Sequence, residues 1–346
     1  MHFKKKIISL MSFSYAKLIS LNLYILNKIY KNLCYNHSLG FGDSFCYYIA
    51  YYNKIKKAGY VIDFSYLTSD LTNFFFEKNK IKKIFFFIFK FFPHYNIRGY
   101  LIKSKNFKPN FFNEEFKNQL VNTTYLPQNK DSIKNLIIAK FNKNYDKNFN
   151  AIEIFGKNYF CISIKTMPRN DFKDLTILRA TNKLDVIISV IKYLIKNNYK
   201  ICILGESNEL SVIKLKKILS KVNSENIKFL ADYSKNYSFV NQVDTCLNSL
   251  GYVGSASGIS VIFYYLQKKS VLLNSVFKSY IHNNYIEHEI KFNKYLDKKI
   301  KINNSMHVLT LNNYKSVTDF YYDDVIIENS FAEILYQINN FLLNKN

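Results

Sequence analysis

The second half of this chain predicts a doubly wound α/β domain built on a parallel sheet. Three observations predict it. Short apolar runs of strand length alternate with longer stretches whose apolar residues recur at helical spacing. The cycle repeats at least four times between residues 159 and 276. Glycine or polar residues close several of the short runs. Such alternation joins parallel strands through right-handed crossovers.

The elements follow in order. "YFCISIK" (159–165) reads as a buried strand, and "KLDVIISVIKYLIKNN" (183–198) as a helix. "YKICILGE" (199–206) is a strand and "NELSVIKLKKILSKV" (208–222) an amphipathic helix. "IKFLAD" (227–232) reads as a strand and "YSFVNQVDTCLNSL" (237–250) as a helix. "GYVGS" is a short strand, "SGISVIFYYLQ" a helix and "SVLLNSV" (270–276) a strand. The tail begins with Asn329 and Ser330, and Glu333 follows three residues after Ser330. That is a capping box, so a helix is expected there.

The first half repeats the pattern less cleanly. Residues 37–67 read as a Gly-rich loop, a helix stopping near Gly59, and a strand. "IKKIFFFIFKFF" (81–92) is too short to span a bilayer and reads as a core strand or helix, with a membrane-inserting edge as the other reading. Residues 102–150 are polar and aperiodic, with one helix and then a linker, so a domain boundary is expected near residue 150. The expected domains are 1–150 and 151–346. The N-terminus has a basic start and an apolar middle interrupted by Lys17. It reads as an amphipathic helix, packed on the body or lying on a membrane surface.

Composition narrows the function. The chain carries 49 Lys and Arg against 25 Asp and Glu, a net charge of +24. Only Arg98, Arg169 and Arg179 are Arg, and Trp is absent. Lys, Asn, Ile, Phe and Tyr dominate, the residues of AT-rich codons. The charge therefore reads mainly as solvated Lys along the whole chain, with attraction for anionic lipid or polyphosphate as the second reading. No basic run exceeds Lys4–Lys6 and no nucleic-acid module is recognisable, so nucleic acid is not an expected partner. Five scattered Cys form no CxxC and no metal spacing, and the six His are scattered too. A reducing compartment is expected, with no metal and no cofactor.

Nine Gly serve 346 residues, yet "GYVGSASGIS" (251–260) concentrates three of them with three Ser. The stretch falls where a strand gives way to a helix, at the carboxyl edge where ligands collect in parallel α/β sheets. Bare backbone at Gly254 and Gly258, the N–H groups opening the next helix, and the hydroxyls of Ser255, Ser257 and Ser260 suit a phosphate or diphosphate. A tight turn with a Ser cap and no ligand explains the same residues equally well. The loop 165–183 follows another strand on that edge and carries Lys165, Arg169 and Arg179. Arg grips phosphate bidentately. Surface ion pairs to Asp171 and Asp174 are the alternative. Glu206 and Asp232 end two further strands, as sugar-hydroxyl contacts or as helix-terminal charges. In the first half, "SLGFGDSF" gathers Gly40, Gly42, Asp43 and Ser44 in a loop opening a helix. Asp43 reads as a helix N-cap or, facing an acceptor hydroxyl, as a general base.

The run from "YFCISIK" through "ILRATNKLDVIISVIKYLIKNNYKICILGES", "FLADYS" and "GYVGSASGISVIFYYLQKKSVLLNSV", closed by "ENSFAEILYQINNFL", resembles a family of bacterial glycosyltransferases of surface-polysaccharide gene clusters. More distantly it resembles heptosyltransferases of lipopolysaccharide synthesis and other GT-B enzymes. The resemblance covers about residues 155–340. It implies a GT-B fold, two Rossmann-like doubly wound domains with parallel sheets facing a cleft, the first on the acceptor side. It implies a nucleotide-sugar donor on the second domain, with Ser255, Ser257, Gly258 and Ile259 at its diphosphate. Lys165, Arg169 and Arg179 would neutralise the charge, and Glu206 would contact ribose or sugar. The heptosyltransferase "S-L-G-D" loop supplies a base, and "SLGFGD" has two extra residues before Asp43.

The implied activity is metal-independent transfer of a sugar to a surface glycan or lipid-linked acceptor, in the cytoplasm or peripherally on the inner membrane face. A nucleotide-sugar epimerase or phosphorylase of GT-B type is the enzymatic alternative. A non-catalytic polyanion-binding α/β protein is the other.

Overall fold

The computed structural model describes residues 35–36, 45–46, 48–49, 52–58, 60–63, 69–76, 82–85, 130–166, 180–222, 225–275, 291–302, 305–309 and 326–344. The chain divides into two compact units, Met1–Ile133 and Lys134–Asn346.

In the first unit, β1 (Tyr35–Asn36), β2 (Tyr60–Asp63) and β3 (Lys82–Phe85) form a parallel sheet in that order. Helix α1 (Tyr52–Ala58) precedes β2, and α2 (Ser69–Phe75) precedes β3. Parallel neighbours need such crossovers. The core is aromatic: Phe45, Tyr48, Phe74 and Phe75 are at most 1% exposed, and Thr72 Oγ1 donates to the Tyr48 hydroxyl at 2.8 Å. β3 lies in the aromatic stretch 81–92, where strand and helix both stood open.

The second unit has the doubly wound α/β architecture expected from the alternation. Helix α3 (Lys130–Asn144), whose first turn falls in the first unit, and α4 (Ala151–Phe155) lead into β4 (Tyr159–Ser163). Then come α5 (Leu184–Lys196), β5 (Lys200–Ile203), α6 (Leu210–Leu219), β6 (Ile227–Phe229), the short α7 (Leu230–Tyr233) and α8 (Phe239–Asn248). Next are β7 (Gly251–Ser255), α9 (Ser260–Tyr265), β8 (Ser270–Ser275) and β9 (Asn293–Asp297). The six strands pair in the order β6-β5-β4-β7-β8-β9, all parallel. The chain starts at the sheet centre, winds out to β6, returns, and winds out the other way to β9.

The strands on either side of that return are buried along their whole length, as a sheet covered on both faces requires. Helix α5 shows how the cover is fixed. Ile187, Val190, Ile191 and Leu194 stand at i, i+3, i+4 and i+7 and are all at most 1% exposed. Each contributes roughly 1.5–3 kcal/mol by leaving water. They join a core with Phe160, Ile162, Ile201, Val253 and Val271. Cys161 and Cys202 are register partners across β4 and β5, and Cys246 lies on α8. All three are 0% exposed, and burial pushes the Cys202 and Cys246 thiols well above their usual range.

A small antiparallel sheet follows, with β10 (Lys299–Ile302) between β11 (Ser305–Val308) and β12 (Ile326–Ile327). The capping box is present at the start of α10 (Phe331–Gln337): Glu333 N–H donates to Ser330 Oγ at 3.3 Å, and Ser330 N–H to Glu333 Oε2 at 2.8 Å. The helix continues as a π-helical stretch, Ile338–Leu343.

Candidate functional site

The winding direction reverses between β4 and β7. In an open α/β sheet that reversal leaves a crevice beyond the carboxyl ends of the two strands, where ligands bind. The two strands share the rung Ser163–Gly254. Glycine is required there by the chain itself: a Cβ on Gly254 would stand 2.1 Å from the Ser163 carbonyl oxygen and 2.7 Å from the Tyr252 hydroxyl. Gly251 is constrained similarly, with the Lys269 carbonyl 2.6 Å from its would-be Cβ. The Tyr252 hydroxyl lies 3.2 Å from the Ser163 carbonyl and 2.8 Å from that of Ser255. Burial pushes its pKa up, so it stays protonated and donates.

Beyond the rung the serines divide. Ser255 is 0% exposed; its Oγ accepts the Lys165 N–H at 3.0 Å and lies 3.4 Å from Thr181 Oγ1. Ser260 Oγ donates to the Ser257 carbonyl at 2.7 Å and accepts the Ser257 N–H at 3.2 Å, closing the turn locally. Thr166 Oγ1 is buried and has no hydrogen-bond partner. Ser257 Oγ is buried too and makes no well-formed hydrogen bond, although it lies close enough to the Tyr252 hydroxyl to oppose the rise in that group's pKa. Among the described serines and threonines, these two hydroxyls alone are buried and unmet. Thr166 stands three residues past Ser163, and Ser257 three past Gly254, so the pair occupies matched places beyond one rung. A buried polar group left so costs about 1–3 kcal/mol. Thr166 was not among the residues singled out by sequence, because a lone Thr after a strand carries no local signal. The helix after the turn is shorter than the periodicity of 257–267 suggested: α9 has six residues, since Ser257 to Ile259 are held in the turn.

At the end of β5, Gly205 adopts φ +135°, and its N–H donates to the Tyr237 hydroxyl at 2.6 Å. The Glu206 side chain is exposed, and the Glu206 N–H donates to Glu209 Oε1 at 2.9 Å. Desolvation of the Glu209 carboxyl against this backbone raises its pKa. The Glu206 N–H and the charge of Lys165 pull the other way, and the Glu206 carboxylate adds to the rise. Glu209 and Lys165 therefore sense each other across the ends of β5 and β4. Asp232 does not end a strand: β6 stops at Phe229, and Asp232 sits on α7, where its carboxylate is ion-paired with Lys216.

The structure thus brings Lys165, Thr166, Gly254, Ser255 and Ser257 together at the reversal point through the β4–β7 rung and the Lys165–Ser255 bond. Gly258, Ile259 and Ser260 follow in the same turn, and Glu206 lies at the end of β5 next to β4. Arg169 and Arg179 lie outside the described residues, as do Asp43, Gly40, Gly42, Ser44 and the N-terminal stretch. Thr181 N–H donates to the Lys165 carbonyl at 2.7 Å. Among the described residues no group of His, Cys, Asp and Glu could hold a metal ion, and no helix is long and apolar enough to cross a membrane.

A buried polar group beside the turn was invisible in the sequence. Lys298, 0% exposed, donates from Nζ to the Ala180 carbonyl at 2.5 Å and stands 3.9 Å from Glu328 Oε1. The Glu328 carboxylate accepts the N–H groups of Asn182 at 3.0 Å and Lys183 at 3.1 Å, just before α5. Asn274 Nδ2 donates to Thr181 Oγ1 at 2.8 Å, and the Asn329 N–H donates to Asn274 Oδ1 at 2.8 Å.

No protein-family model matches the chain, and a search of curated proteins finds no match. Solved structures do align with it. E. coli ADP-heptose lps heptosyltransferase II aligns at 11% identity over 90% of this chain and 98% of that one, with a TM-score of 0.46. E. coli heptosyltransferase WaaC with ADP-2-deoxy-2-fluoro heptose aligns at 10% identity over 82% and 98%, also with a TM-score of 0.46. A glycosyl transferase family 9 structure from Veillonella parvula aligns at 8% identity over 87% and 78%, with a TM-score of 0.38.

Proposed function

We propose that this protein is a metal-independent glycosyltransferase of GT-B type, moving a sugar from a nucleotide-sugar donor to a surface glycan or lipid-linked acceptor. One observation carries the proposal: two unmet, buried hydroxyls, Thr166 Oγ1 and Ser257 Oγ, stand at matched places where the sheet reverses direction. Buried polar atoms are almost always satisfied, and these two follow the carboxyl ends of the strands where open α/β sheets bind ligands, so they suit oxygens the chain does not supply. The sequence resemblance points to the same turn.

In this proposal Ser257, Gly258 and Ile259 line the donor diphosphate, with Gly254, Ser255 and Ser260 shaping the turn. Lys165, Arg169 and Arg179 offset its charge, and Glu206 meets ribose or sugar hydroxyls. Asp43, in the loop with Gly40, Gly42 and Ser44, takes the proton from the acceptor hydroxyl. The acceptor oxygen forms the new bond to the sugar's anomeric carbon while the bond to the diphosphate breaks. The electron pair leaves on the nucleoside diphosphate, where fixed cations and N–H donors stabilise it. The enzyme works in the cytoplasm, and its Lys-rich surface favours the anionic inner face of a membrane.

The test is a thermal-unfolding series with ADP, GDP, UDP and CDP, followed by their sugar conjugates. A ligand that binds the folded state alone raises Tm. A rise with one diphosphate, and release of that diphosphate from its sugar conjugate when acceptor is added, is the expected result. A flat series with all four diphosphates removes the donor site.

A further inference from the structure

The seat at the ends of β4 and β7 is not held by the sheet alone. Thr181 connects its two sides: its N–H donates to the Lys165 carbonyl at 2.7 Å, and its Oγ1 lies 3.4 Å from Ser255 Oγ. Thr181 itself arrives on an irregular segment, 180–183, before α5 begins at Leu184. Lys183, at the N-cap position of α5, makes no side-chain cap. That segment is gripped from the far side of the sheet. Lys298 follows β9, and its N–H donates to the Ser275 carbonyl at 2.9 Å, at the end of β8. Its side chain crosses to the Ala180 carbonyl, while Glu328 takes the N–H groups of Asn182 and Lys183. The carboxylate therefore holds the two residues that lead into α5, from 145 and 146 positions further along the chain.

We infer that Lys298 and Glu328 are a positioning pair: they fix residues 180–183 so that Thr181 locks Lys165 and Ser255 together and sets the spacing of the Thr166 and Ser257 hydroxyls. The inference rests on the proposed diphosphate seat. A buried ion pair adds little net stability, because desolvation offsets its attraction, and apolar groups of similar volume hold a core as well. What this pair adds is geometry. Both partners point at backbone atoms of one four-residue segment, in which Thr181 joins the two strand ends, through its backbone N–H to Lys165 and its hydroxyl to Ser255. Apolar substitutes would fill the space and leave the segment without its three directed bonds.

The experiment compares wild type with Lys298→Met/Glu328→Gln, which keeps volume and leaves one acceptor for the N–H groups. Affinities for ADP, GDP, UDP and CDP and for the matching monophosphates are measured by titration calorimetry, with Tm recorded in parallel. The expected result is a Tm close to wild type with the best diphosphate bound about tenfold more weakly, and its monophosphate weakened by no more than about twofold. Equal losses on the two nucleotides would mean a merely structural role and overturn the inference, and so would wild-type affinity for the diphosphate. In both of those cases the diphosphate site itself stands. If the double variant does not fold, Glu328→Gln alone is judged by the same split. If wild type binds none of the diphosphates, the seat and the positioning pair fall together.

Discussion

Ser257→Ala separates a ligand-binding hydroxyl from a structural one, because the two predict opposite signs. In the free protein Ser257 Oγ is buried and makes no well-formed hydrogen bond, with the Tyr252 hydroxyl, itself donating to backbone carbonyls, as a neighbour. An unmet buried hydroxyl costs about 1–3 kcal/mol, so replacing it with a methyl hydrogen removes a penalty rather than a bond. We expect the variant to be more stable by about 1 kcal/mol, which in a domain of this size raises Tm by about 2–4 °C. With ligand the sign reverses. A hydrogen bond to a charged phosphate oxygen is worth about 1.5–3 kcal/mol, so the nucleoside diphosphate should bind at least about tenfold more weakly. The assay is thermal unfolding with and without excess diphosphate. The nucleotide-induced rise in Tm should shrink while the ligand-free Tm goes up. A lower ligand-free Tm with an undiminished nucleotide effect would show that Ser257 is a structural hydroxyl and that the seat lies elsewhere.

Four further outcomes are expected. Gly254→Ala should destabilise by about 3 kcal/mol or more, from overpacking against the Ser163 carbonyl and loss of the Tyr252 bonds, read by urea unfolding. Ser330→Ala should lose the cap of α10 at a cost of about 1 kcal/mol in the same measurement. Burial lowers the Lys298 pKa from 10.5 to about 8, with Glu328 opposing. Between those two pH values the unfolded chain holds a proton that the folded chain has released, so this group's contribution to stability grows by ~3 kcal/mol as pH rises. The difference in unfolding free energy between wild type and Lys298→Met should therefore change across that window, and a pH-independent difference would contradict the shift. Sugar transfer should persist in excess EDTA, and loss of product restored by added Mg²⁺ would contradict a metal-free mechanism.

The elements legible in the sequence share one property. β4, β5, β7 and β8 are short apolar runs sealed on both faces, and α5 carries its apolar residues on one side. Burial had fixed their composition, so composition returned them. "NKYLD", "KIKI" and "SMHV" were not legible as β9, β10 and β11, because they are polar and half exposed, and their pairing depends on neighbours distant in sequence. "FLAD" misled because Leu230 is buried as a strand residue would be, while the chain already turns helical there. In the site, the Gly-Ser turn was visible through its rarity. Two of its glycines turned out to answer to neighbouring carbonyls in the sheet. Thr166, Thr181, Lys298 and Glu328 gave no signal, since each acquires its role only through a partner on another segment.

The three thiols in the sheet interior offer a stopwatch. Cys161, Cys202 and Cys246 sit where no reagent reaches them, on two adjacent inner strands and the helix above. A maleimide added to the native protein should leave all three untouched until the centre of the second unit comes apart. The rate at which their mass labels accumulate then times the opening of that unit as a whole, without any engineered probe.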